Sequence, residues 1–180
     1  EIRRVQLETG ISAVLVTHDQ VEAMSMTDRI AIMKDGKILQ VAPPAEMYQY
    51  PENEFIASFL GNPPIAFLDG IVSDDNVVIQ SADIKLPLPE NIEVPTSGSR
   101  IGLGIRPEFY QPHHPHKIPG TVSFVEIQGR ENLYDINLKD GSLLRSIQPA
   151  DVSPLSPGTK VEWGVNPEQL LFFDSLGKRL

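Results

Sequence analysis

The sequence predicts two folds in tandem, an α/β segment followed by an all-β barrel or sandwich. Three observations carry this. Ala13-Val14-Leu15-Val16 is an unbroken apolar run that stops abruptly at Thr17-His18-Asp19 and is followed by helix-forming residues from Gln20 to Met26. Too short for a buried helix, the run reads as a strand covered on both faces of a parallel sheet. Only three of the 16 prolines precede residue 61. Beyond Asn62 helical patterning gives way to short apolar segments punctuated by Asp-Gly and Pro-Gly turns, the spacing of a small barrel or sandwich. The expected boundary divides residues 1–62 from residues 63–180.

Composition sets outer limits. Apolar residues make up 41% of 180, enough for a buried core. The net charge of −9, from 24 acidic and 15 basic residues, argues against the broad basic face that nucleic-acid binding requires. Without cysteine there is no disulfide framework and no thiolate metal site. No apolar run approaches the roughly 18 residues of a membrane span, and the first residues do not form a signal peptide. The expectation is a soluble protein that meets a membrane through a partner.

Taken in order, Glu1 to Glu8 is patterned as a charged helix with Ile2 and Val5 on one face, stopped by Thr9-Gly10. It opens mid-pattern and without methionine, as the interior of a longer chain does. The strand at 13–16 and the helix at 20–26 follow, placing His18 where a strand ends and a helix begins; in open α/β sheets, ligands bind at such ends. Arg29 to Met33 and Ile38 to Val41 flank Asp35-Gly36 as a hairpin. Pro44 suits the first turn of a helix that runs to Tyr50 and ends at Pro51. A further helix, Glu54 to Leu60, closes at Gly61, with Phe55, Ile56 and Phe59 read as its core face. Nine strands are then expected: Asp69–Ser73, Asn76–Gln80, Ile84–Leu88, Arg100–Ile105, Gly120–Ile127, Asn132–Leu138, Leu143–Ile147, Lys160–Val165 and Gln169–Phe173. No strict internal repeat is evident.

Thr17-His18-Asp19-Gln20-Val21-Glu22-Ala23-Met24, then Asp28-Arg29-Ile30 and Met33-Lys34-Asp35-Gly36-Lys37-Ile38, closely resembles the switch-histidine segment of ATP-binding-cassette ATPases. It is most similar to the ATP-binding subunits of sugar and related solute importers. Leu103-Gly104-Ile105-Arg106-Pro107-Glu108 resembles the Gly-x-Arg-Pro-Glu signature of the TOBE-type regulatory domain that follows these ATPases, an oligonucleotide/oligosaccharide-binding (OB) type barrel. Val125 to Leu133, Lys139-Asp140-Gly141, Pro157-Gly158 and Phe172 to Gly177 track its closing strands in order.

The resemblance implies the tail of a P-loop ATPase domain over 1–62 and an OB-type barrel over 63–180. It implies that His18 is catalytic and cofactor-binding, contacting the ATP γ-phosphate and positioning the hydrolytic water. One imidazole carries a donor and an acceptor on opposite nitrogens, which suits that task. ATP and Mg2+ are then held mainly by an upstream part, and no G-x-x-x-x-G-K-[ST] loop occurs in this sequence. The intact parent is expected to be a transport-coupled ATPase and this chain alone to be inactive. Expected partners are a second copy through the regulatory domain, membrane permease subunits and, indirectly, a solute-binding protein, at the cytoplasmic face of the membrane. The expected cargo is a carbohydrate or glycerol phosphate; the alternatives are polyamine, iron or oxyanion import, or a stand-alone small-ligand-binding barrel.

Other constellations point to structure. His113-His114-Pro115-His116 lies in a proline-flanked loop without the four ligands a structural zinc site wants, so no metal site is assigned. Asp74-Asp75-Asn76 reads as a turn. Arg106 and Glu108 flank Pro107 as a local ion pair shaping a turn, Trp163 shares a core face with Val161 and Val165, and Asp19 and Gln20 are candidate caps.

Overall fold

The computed structural model describes residues 2–80 and 82–180, so Glu1 of the predicted opening helix lies outside the described residues. The chain divides into two compact units, Glu1–Gly61 and Asn62–Leu180.

The first unit begins with α1 (Ile2–Thr9), which ends where Gly10, at φ 66°, returns its N–H to the Gln6 carbonyl at 3.0 Å. Its Ile2 and Val5 are exposed rather than covered. After an irregular stretch come α2 (Gln20–Met26), β1 (Ile30–Lys34), β2 (Lys37–Ala42), α3 (Pro44–Gln49) and α4 (Glu54–Phe59). Asp35 and Gly36 both hold positive φ, the geometry of a two-residue type I′ hairpin turn, and Lys34 faces Lys37. Pro44 sits in the first turn of α3. A small core of Ile30, Ile32, Ala42, Met47, Ile56 and Leu60 holds these elements together.

Two expectations are corrected here. Residues 11–16 form no strand, and Val14 and Val16 are 94% and 93% exposed. A parallel strand gains its hydrogen bonds and its cover from neighbours on both sides, and among the described residues of this unit β1 and β2 pair only with each other. Phe59 is also exposed, stacked on half-buried Phe55 at 6.1 Å between centroids, while Ile56, Ala57 and Leu60 turn inward. The buried face of α4 therefore lies about one residue round from the one its aromatics suggest.

The second unit is built of two antiparallel sheets around one core. The strands are β3 (Ala66–Ser73), β4 (Asn76–Ile79), β5 (Ile84–Pro87), β6 (Arg100–Ile105), β7 (His116–Ile127), β8 (Glu131–Asn137), β9 (Leu143–Pro149), β10 (Lys160–Val165) and β11 (Leu171–Phe173). All nine expected strands are present, β3 and β7 beginning earlier than expected. One sheet runs β11-β6-β3-β4-β5 and the other β10-β7-β8-β9.

The two sheets are copies of one plan. The order β6-β3-β4-β5 matches β10-β7-β8-β9 strand for strand. Val72 donates to the Ser99 carbonyl and accepts from Gly98 N–H, and Val122 does the same with Thr159 and Gly158. Each half ends in a 3-10 turn, Pro107–Phe109 or Pro167–Gln169. The chain leaving the first turn pairs at Gln111 with Gly164 of β10; the chain leaving the second pairs at Leu171 with Gly104 of β6. The halves thus exchange ends, which explains why one core serves both. Trp163 lies inside it, edge-on to Tyr134 at 5.2 Å and to Tyr110 at 5.9 Å, with Val161 and Val165 on the same face.

Candidate functional site

His18 lies at a bend between the irregular stretch and the first residue of α2, and its side chain is exposed. The bend is shaped locally. Thr17 Oγ1 accepts from the Asp19 backbone N–H at 3.0 Å, and Asp19 Oδ1 accepts from Glu22 N–H at 3.0 Å as the N-cap of α2. Asp19 is therefore committed to its helix. Gln20 caps nothing in α2; its Oε1 accepts from the Gly61 backbone N–H at 3.0 Å. The sequence reading singled out His18, Asp19 and Gln20 but missed Thr17 and Gly61, whose parts are played through a side-chain oxygen and a backbone amide that no residue pattern distinguishes.

Around this bend the ion pair of Arg3 with Asp28 joins α1 to the residue after Thr27, with Arg3 Nη1 to Asp28 Oδ2 at 3.0 Å. Hydrogen bonding to Arg3 holds the Asp28 carboxyl below its ordinary value and raises the guanidinium in turn. The pair is solvent-exposed, so its weight in stability is small. Further along, Gln40 is buried and bridges the chain at Pro51: Nε2 donates to the Tyr50 carbonyl and Oε1 accepts from Glu52 N–H, each at 3.0 Å.

In the second unit the histidine loop packs its backbone over Gly164. The His113 and His114 rings lie 4.5 Å apart, and partial burial, His113 and Lys117 together push the His114 imidazole down. Among the described residues no three His, Cys, Asp or Glu side chains converge on a metal position. Asp74 occupies a turn at φ 54°. Arg106 is buried at the start of the first 3-10 turn, where its carbonyl accepts from Phe109 N–H at 2.9 Å. The outer face of β7–β9 forms a groove of about 410 Å³ with Phe124, Leu133 and Ile147 among its lining and Glu126, Glu131 and the Asp135–Arg145 pair at 3.0 Å around them. No helix of the described residues is long and apolar enough to cross a membrane.

The comparisons divide along the chain. Residues 61–109 match the MalK OB fold domain, and residues 103–173 match the TOBE domain. The maltose/maltodextrin import ATP-binding protein MalK of Vibrio cholerae is 34% identical over 184 residues, covering 99% of this chain and 49% of that protein. The sn-glycerol-3-phosphate import ATP-binding protein UgpC of Vibrio vulnificus is 36% identical over 187 residues, covering 100% of this chain and 48% of that protein. The chain thus spans about half the length of the curated relatives it matches. The solved structure of the cytoplasmic molybdate-binding protein ModG aligns at a TM-score of 0.49 with 11% identity, covering 59% of this chain and 93% of that one. That similarity is too distant to bear on ligand or mechanism.

Proposed function

We propose, from the premise that this chain belongs to the family of MalK- and UgpC-type import ATP-binding proteins, that it is the C-terminal part of such a subunit. The parent couples ATP binding and hydrolysis to uptake of a carbohydrate or glycerol phosphate. The observation that carries this reading is the match of essentially the whole chain to about half of each relative. A physical observation supports it. Ile2, Val5, Leu7, Ile11, Val14, Leu15, Val16 and Val21 are all exposed, far more apolar surface than so small a unit leaves in water when complete. In the proposal these residues pack against the rest of an ATPase domain. Residues 1–62 are then the tail of that domain and residues 63–180 its regulatory domain.

Within such a site His18 acts on ATP. Phosphoryl transfer asks the protein for positioned donors on developing phosphate charge and an oriented water. An exposed imidazole at a capped bend offers one N–H to a γ-phosphate oxygen and its other nitrogen to the attacking water. In the proposal nucleotide and Mg2+ are held mainly by other parts of the parent, since the G-x-x-x-x-G-K-[ST] loop that cradles phosphates does not occur in this sequence. The regulatory domain joins two copies, the ATPase part engages membrane permeases at the cytoplasmic face, and a solute-binding protein delivers cargo to them.

The test is ATP-driven uptake by the full-length subunit assembled with its permeases in vesicles. Uptake of a maltodextrin or of sn-glycerol 3-phosphate supports the reading. A full-length protein that neither hydrolyses Mg-ATP nor drives uptake contradicts it, as does comparable ATP turnover by this chain alone.

A further inference from the structure

We infer that Gln20 is a positioning residue for His18, acting through the hydrogen bond that its Oε1 accepts from the Gly61 backbone N–H. The inference rests on the reading of His18 given above. Three hydrogen bonds hold the bend that carries His18, and they differ in reach. The bonds from Asp19 N–H to Thr17 and from Glu22 N–H to Asp19 span two and three residues. They shape the turn but move with it. The Gln20 bond spans 41 residues and is partly buried. It fastens the first residue of α2 to the chain just past α4, whose Ile56, Ala57 and Leu60 are fully or almost fully buried. Gly61 holds φ 120°, a conformation that side-chain-bearing residues rarely adopt, so the amide is delivered to Gln20 by a position fit for glycine. An acceptor oxygen at the reach of glutamine is what the bond needs: glutamate keeps it, and leucine, of similar size, does not.

Positioning is tested by steady-state Mg-ATP turnover of the full-length subunit assembled with its permeases. The variants are Gln20→Leu, Gln20→Glu and His18→Ala, with the melting temperature of each. Misplacing a reacting group by a fraction of an ångström costs about ten-fold or more in rate. Gln20→Leu is expected to lower kcat about ten-fold with the KM for ATP within about two-fold and the melting temperature within about 3 °C. Gln20→Glu is expected to restore kcat to within about two-fold, and His18→Ala to lose about 10²-fold. Unchanged kcat in Gln20→Leu beside an impaired His18→Ala overturns the inference and leaves the reading of His18 standing. Loss of kcat in step with a collapse of melting temperature, or a folded Gln20→Glu that fails to restore, also overturns it. Normal turnover in His18→Ala defeats the underlying reading, and with it any group for Gln20 to position.

Discussion

Gln111 and Gly164 exchange two backbone hydrogen bonds of 2.8 Å, and through them the first half of the β unit is stitched into the second. Leu171 and Gly104 make the reciprocal pairing. Gly164 has no room for anything larger. A Cβ there would stand 2.5 Å from the His114 carbonyl oxygen and 2.8 Å from that of His116, both backbone atoms that cannot swing away.

Gly164→Ala is therefore expected to destabilise the β unit by about 2 to 3 kcal/mol, the scale of overpacking against a fixed backbone. Urea unfolding followed by Trp163 fluorescence reads it directly. A midpoint equal to that of the wild type would show that the halves are not locked at this point.

Tyr110 is fully buried and its hydroxyl donates to the Ile118 carbonyl at 2.6 Å. Tyr110→Phe keeps the ring and leaves that carbonyl without this donor, a loss of about 1 to 2 kcal/mol. Burial also pushes the phenol well above its ordinary value of 10.0. The unfolded chain thus ionises first, so this contribution is intact below pH 10 and falls as the pH rises beyond it. Denaturant titrations of both proteins at pH 7 and at alkaline pH check this. The gap between them should narrow above pH 10, and a gap that widens would contradict the assignment.

What was legible in the sequence follows from how local its causes are. Asp35-Gly36, Pro44 and the alternation of Val161, Trp163 and Val165 act over a few residues, and the structure places each as those residues dictate. The strand expected at 13–16 did not form because the causes of a strand are not local: an apolar run becomes a strand only when neighbours pair with it, and residues 11–16 have none. The duplicated plan of the β unit left only a short trace. Gly104-Ile105-Arg106-Pro107-Glu108 and Gly164-Val165-Asn166-Pro167-Glu168 share glycine, a β-branched residue, proline and glutamate at one offset, too brief to read as a strict repeat until the backbone bonds showed the equivalence. At the bend, His18 stood out by its type, but its tether to Gly61 runs through a backbone amide and leaves no mark on composition.

Self-association of the regulatory domain is expected from the proposed reading. A symmetric contact would use the same patch on both copies and raise the effective concentration of one ATPase for the other. Sedimentation equilibrium of the chain in the micromolar range should show a dimer. A monomer throughout would remove the tether and leave a sensing or docking module in its place.

The central claim is that His18 serves ATP hydrolysis, and the turnover of His18→Ala in the full-length transporter subunit tests it most directly. Nucleotide affinity should be largely retained, because the proposed reading leaves most phosphate contacts to other parts of the subunit, while turnover falls by about 10²-fold or more, the scale for removing one preorganised donor. Turnover equal to that of the wild type would show that the bend at His18 is structural and would contradict the account.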